Sequence, residues 1–169
     1  MKNWNEWFRY QLEASAEGFL WGYDQIRPAL LERLPPRPDY LGTWEPTRHV
    51  WHVMEYERWL VIPSMKQWLG GEMPDNGSWR DDDEAWSMFR ERDSKAIIRA
   101  FRLVRQEQIA MLEEFRTVDW ETPRETLWGN KPLSMVVTKT FQHTYEHGDT
   151  LLRMYLWWEA IESDMSKKA

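Results

Sequence analysis

The sequence predicts an all-α protein in which four long helices form a bundle. Three observations carry this. Apolar residues recur at helical spacing in four separate stretches. Proline and glycine cluster mainly between those stretches. Alternating apolar–polar runs of the kind that make half-buried strands are weak throughout.

The first helix starts near Trp4, where Trp4, Trp7, Phe8, Leu12, Phe19, Leu20, Tyr23 and Ile26 approximate a 3.6-residue stripe. Pro28 starts or kinks a short continuation through Leu34, and Pro35-Pro36-Arg37-Pro38 then ends helical structure. A loop leads to Thr43-Trp44-Glu45-Pro46, with Pro46 suited to the first turn of a second helix. That helix runs to about Leu69, bends at Pro63 and stops at Gly70-Gly71. Residues 70–81 read as loop. The acidic run Asp81-Asp82-Asp83-Glu84 suits a helix start, because the helix dipole favours negative charge there.

The third helix, over about 82–116, has the cleanest period: Trp86, Phe89, Ile97, Ala100, Phe101, Val104, Met111, Leu112 and Phe115, with Arg, Glu and Gln opposite. Residues 117–131 connect, with Pro123 and the turn signal Gly129-Asn130. Pro132 opens the fourth helix, about 132–160, whose apolar surface comes from Met135, Val136, Phe141, Leu151, Leu152, Met154 and Leu156. One domain over 1–162 is expected, followed by a polar, frayed tail from Ser163 to Ala169.

Composition narrows the function. With 169 residues the chain can bury a substantial core. Without cysteine it has no disulfide, no thiolate nucleophile and no cysteine-based metal site, which fits a reducing cytoplasm. A net charge of −6 argues against nucleic acid as partner. No run of eighteen apolar residues is present, so no membrane partner is expected, and the N-terminal MKNWNEWFRY lacks a secretory signal's apolar core. A soluble cytoplasmic protein is the expectation. Thirteen tryptophans serve mainly as core and inter-helix packing, with a tryptophan-lined substrate pocket as the second use.

The four histidines fall in two pairs. His143 and His147 are four apart, so their side chains stand one above the other on a helix face and can meet on one cation. His49 and His52 lie three apart on the second helix. One of them would complete a three-histidine set with an open position, but aromatic residues surround that helix and periodicity does not choose between them. Glu57 could contact the metal or hold a histidine by its second nitrogen; the plainer alternative is an ion-paired or exposed carboxylate beside Arg58. Glu146 reads as a solvated charge, while Asp149 remains open as a partner of the site.

Two segments resemble the DinB-like superfamily. One is His52-Val53-Met54-Glu55-Tyr56-Glu57, a histidine with an acidic residue five later. The other runs from Trp128-Gly129-Asn130-Lys131-Pro132-Leu133 through Thr140-Phe141-Gln142-His143-Thr144-Tyr145-Glu146-His147-Gly148, a last helix that opens after a short loop and carries two histidines four apart. The spans of the four helices match as well, so the resemblance covers nearly the whole chain. It implies a bundle of unusual helix order and a divalent metal, often zinc or nickel, held by His52, His143 and His147 at one end. His49 is then a neighbour of the site. A homodimer is also implied. Relatives with an assigned activity resemble metal-dependent transferases or isomerases that use low-molecular-weight thiols. Many relatives carry an Arg-Gly-Gln/Glu run after the last histidine; here Gly148-Asp149 follows, so the surroundings of the ligands differ.

A three-histidine metal can lower the pKa of bound water from 15.7 to about 7, or hold a thiol as its thiolate. With no cysteine in the chain, any sulfur nucleophile must come from a small molecule. The expected function is therefore that of a metal-dependent enzyme on a small-molecule substrate, thiol-transferase-like or hydrolase-like. The alternatives are a non-catalytic metal- or small-molecule-binding bundle and a plain helical interaction module.

Overall fold

In the computed structural model, which describes residues 4–72, 82–89 and 93–167, most of the chain is helical. Helix α1 spans Trp4–Asp24 and buries Phe8, Leu12, Phe19, Leu20 and Tyr23, the expected stripe. Trp7, assigned to that stripe, is 47% exposed. Beyond α1 only a single 3-10 turn, Pro28–Leu30, forms where a continuation to Leu34 was expected. The proline-rich segment is not wholly irregular either: α2, Pro38–Leu41, makes one turn with Pro38 at its start, where the missing N–H costs nothing.

The second helical stretch runs from Pro46 to Leu69 as expected, but in four pieces. Helix α3 covers Pro46–Tyr56, a π turn Glu57–Val61, helix α4 Ile62–Lys66 and a 3-10 turn Gln67–Leu69. Pro63 explains the interruption. It cannot donate its backbone bond, and its ring would meet the carbonyl four residues back in a regular helix. Widening the preceding turn moves that carbonyl away. Gly70, at φ +77°, closes the stretch in the left-handed region that favours glycine. Of the expected 70–81 loop, residues 73–81 lie outside the described residues.

The third helix is two. Helix α5 covers Asp82–Phe89 and α6 covers Ser94–Glu114. Asp93 caps α6 by accepting from the Lys95 N–H at 3.0 Å, which starts a new helix inside the span expected to be continuous. The connection after α6 also departs from expectation. It contains an antiparallel hairpin, β1 Arg124–Thr126 and β2 Gly129–Lys131. Thr126 Oγ1 donates to the Gly129 carbonyl at 2.7 Å and accepts from the Trp128 N–H at 3.1 Å, so a side chain ties the turn that the weak strand pattern did not announce. Helix α7, Leu133–Ser166, continues well into the tail expected to fray; Leu156, expected on its apolar surface, is exposed.

Side-chain contacts fix the helix directions. Trp7 meets Phe141 and Trp21 meets Tyr155, so α1 and α7 run parallel. Phe19 packs on Phe101 while Asn5 donates to the Leu112 carbonyl, so α1 and α6 run antiparallel. Tyr23 at the end of α1 bonds Thr47 at the start of α3 over 3.0 Å, and α3 runs antiparallel to α7 through His49–His147 and His52–His143. Between them these helices bury one continuous apolar core, including Phe8, Phe101, Leu112, Val136 and Trp158. Helix α3 is buried on nearly every side, which is why its sequence shows no single apolar stripe. Among the described residues, no helix is long and apolar enough to cross a membrane.

Candidate metal centre

Helix α3 presents His49 and His52 toward α7, which presents His143 and His147. Because the helices are antiparallel, His52 faces His143 and His49 faces His147. The Nε2 of His143 lies 3.3 Å from that of His52 and 3.2 Å from that of His147. Three nitrogens each about 2.05 Å from one tetrahedral zinc would stand about 3.3 Å apart, so these separations suit a shared ion. His52, His143 and His147 each offer one ligand atom, all within 4.8 Å of one another, and the group could hold a metal ion. These are the three residues expected to do so.

Electrostatics favours the same use. Burial pushes the imidazole pKa of His52 and of His147 down to about 4, and that of His143 to about 2. Burial likewise holds His49 well below the ordinary range, aided by the neighbouring histidines, Arg48 and Arg153. The rings are therefore neutral at pH 7, with lone pairs available to a cation.

His49 occupies a different place in the cluster. It is 5% exposed, and its Nδ1 lies 2.7 Å from Nδ1 of His147, the ring nitrogen other than the Nε2 that approaches His143. It backs a candidate ligand instead of joining the three.

Two aromatic walls enclose the cluster. Trp44, from the loop before α3, lies nearly parallel to His147 with centroids 5.8 Å apart, and 4.9 Å from His52. The Arg48 guanidinium lies over the Trp44 ring, 4.4 Å from its centroid. On the far side Tyr56 lies 4.0 Å from His143, and Trp128 of the hairpin packs on Tyr56 at 6.1 Å. Burial raises the Tyr56 hydroxyl pKa, so it stays a neutral phenol. Neither Trp44 nor Tyr56 was singled out from sequence. Nothing in a loop's spacing announces which way Trp44 turns.

Glu57 is ion-paired, as its plainer alternative had it, but with Arg105 and away from the imidazole nitrogens' common point. It is 0% exposed and takes the Arg105 guanidinium through both oxygens, with Arg105 Nε at 3.1 Å; Gln108 donates at 2.6 Å. Arg105 also donates to the Leu12 carbonyl at 2.6 Å, Ser15 Oγ at 2.8 Å and Thr144 Oγ1 at 2.8 Å. This network joins α1, the π turn, α6 and α7. Arg58, the neighbour considered for Glu57, pairs with Glu55 at 3.0 Å instead. A signal for the network was present: Arg105 and Gln108 fall on the spacing of Phe101, Val104, Met111 and Leu112, not on the opposite polar face. Asp149 pairs with Arg153 one turn on, at 3.0 Å, and is 71% exposed, while Glu146 is exposed. Both read as solvated charges.

Compared with family models, curated proteins and solved structures, the chain matches none.

Proposed function

We propose that this protein is a DinB-type four-helix bundle and a divalent-metal-dependent enzyme that acts on a small molecule, by thiol transfer or hydrolysis. One observation carries the reading. Three neutral imidazoles from two helices converge: the Nε2 of His143 stands 3.3 and 3.2 Å from those of His52 and His147, separations that suit a tetrahedral ligand set, and the three residues offer ligand atoms within 4.8 Å of one another. Three protein ligands leave one position for substrate, as catalytic sites do and closed structural sites do not. The helix directions support the bundle: α1 beside a parallel α7, and α3 antiparallel to α7.

Zinc or nickel suits the imidazole donors. When bound, such an ion supplies either a water of lowered pKa or a stabilised thiolate. The chain's own residues supply the rest. His52, His143 and His147 hold the ion; Trp44 and Tyr56 exclude water from two sides and offer apolar surface to a substrate. The sulfur, in the thiol-transfer case, comes from a low-molecular-weight thiol, since the chain has no cysteine. The exposed aromatics Trp7, Trp21, Tyr145 and Tyr155, shared by α1 and α7, support a homodimer, to be checked by light scattering.

Elemental analysis of purified protein tests the site. Wild type should carry about one equivalent of divalent metal, and His143→Ala and His147→Ala far less. Equal, low content in all three would refute it. Consumption of a small thiol with an electrophile, dependent on the metal, then separates an enzyme from a protein that only binds.

A further inference from the structure

We propose that His49 is a positioning residue for His147: it accepts the Nδ1 proton of that imidazole and so fixes the ring with Nε2 turned toward the site. This rests on the metal reading above. The two Nδ1 atoms stand 2.7 Å apart, which requires one proton between them. If Nε2 of His147 gives its lone pair to a cation, the ring's proton sits on Nδ1, and His147 must be the donor. His49 then carries its own proton on Nε2, which is buried without a hydrogen-bond partner beside Gly42, 4.0 Å from where an added Cβ would lie.

His143 has no such support. Its Nδ1 is buried and meets no hydrogen-bond partner. His147 also lies against Trp44 at an interplanar angle of 9°, so its ring is held flat on one side and tethered at its back. A hydrogen bond to the far nitrogen raises ligand basicity and removes the ring's rotational freedom, and partners of this kind typically contribute 10–100-fold to metal affinity. His49 is thus neither a fourth ligand nor a spare copy of His52. The three-residue spacing of the pair lets one ring reach the common point while the other reaches behind it.

Two substitutions test this. In His49→Asn, the side-chain oxygen falls where Nδ1 lies and still accepts; in His49→Leu, the volume is filled and the acceptor is gone. Affinity for Co(II) and for Zn(II) is measured by chelator competition, and the Co(II) visible spectrum reports ligand geometry. Expected is affinity within about threefold of wild type for His49→Asn, and a 10–100-fold loss with an altered spectrum for His49→Leu. Wild-type affinity in His49→Leu, or equal loss in both variants, overturns the positioning role. Far-ultraviolet circular dichroism of each metal-free variant separates misfolding from weakened binding, and long-range nitrogen NMR of metal-loaded wild type reads the same bond directly: His147 protonated on Nε2 overturns it. Absence of metal binding by wild type fails the parent reading instead, and is told apart by that control.

Discussion

Two buried polar clusters sit side by side in this molecule, and they are opposites. His52 and Glu57 lie on consecutive turns of one helical stretch, and their partners His143 and Thr144 are adjacent on α7. In the Glu57 cluster the charges are paired as folded: a buried carboxylate meets a buried guanidinium, and the guanidinium's remaining protons go to a carbonyl and two hydroxyls. The histidine cluster gathers four imidazoles whose nitrogens face one another, with protonation disfavoured at each. Opposite charges brought together offset the cost of leaving water only where further hydrogen bonds complete the pair, as they do around Arg105. Neutral imidazoles brought together can hydrogen-bond in pairs, but three facing ring nitrogens leave lone pairs that a cation would satisfy. One cluster therefore reads as an anchor for four segments, and the other as a receptor.

The sharpest way to break this contrast is to remove one half of the anchor. Arg105→Leu leaves the Glu57 carboxylate buried without its cation and should cost about 3–5 kcal/mol in urea unfolding. The double change Glu57→Leu/Arg105→Leu should cost less than the two single changes added; simple additivity would show that the two residues do not act as a pair.

Next comes the receptor. Zinc at about 100 times its dissociation constant should stabilise wild type by about 2.7 kcal/mol, a rise of roughly 5–10 °C in melting temperature. His143→Ala should show no rise. A rise of the same size in that variant would place the metal elsewhere.

The metal-free receptor should also be acid-sensitive. The folded pKa values of His52 and His147, about 4, lie below the ordinary 6.5. As pH falls from about 6.5 toward 4 the unfolded chain takes up protons first, so stability present above pH 6.5 is lost on the way down. The slope should approach about 1.4 kcal/mol per pH unit for each histidine. Chelator-treated protein unfolded in urea between pH 7 and pH 5 checks this; a flat profile would mean that the rings are solvated.

The smallest effect belongs to the surface beside the site. Asp149→Asn removes an exposed pair with Arg153 and should change stability by less than about 0.5 kcal/mol, with metal content unchanged. Lost metal would return Asp149 to the site.

Much of the candidate site is legible at short range. His143 and His147 must share a helix face wherever their helix lies, and the resemblance singled out His52 as their third partner. The long-range partners are another matter. Glu57 finds Arg105 forty-eight residues away, and adjacency to Arg58 pointed to the wrong cation. Arg105 and Gln108 on an otherwise apolar stripe announced a buried polar cluster without naming its other half. The break before α6 was signalled locally by Asp93, a good capping residue inside a continuous periodic run. The hairpin was not, because Thr126 stabilises it through side-chain bonds that no alternation pattern encodes.

By itself the sequence determined the four main helical stretches and which side chains share a face within them, since both follow from 3.6-residue geometry and from proline and glycine acting on their immediate neighbours. Tertiary structure alone decided the pairing of His49 with His147 and of His52 with His143, the burial of Glu57 against Arg105 and the placing of Trp44 over the imidazoles. Each of these depends on how two helices are turned and shifted against each other, and that is set by the packing of the whole core.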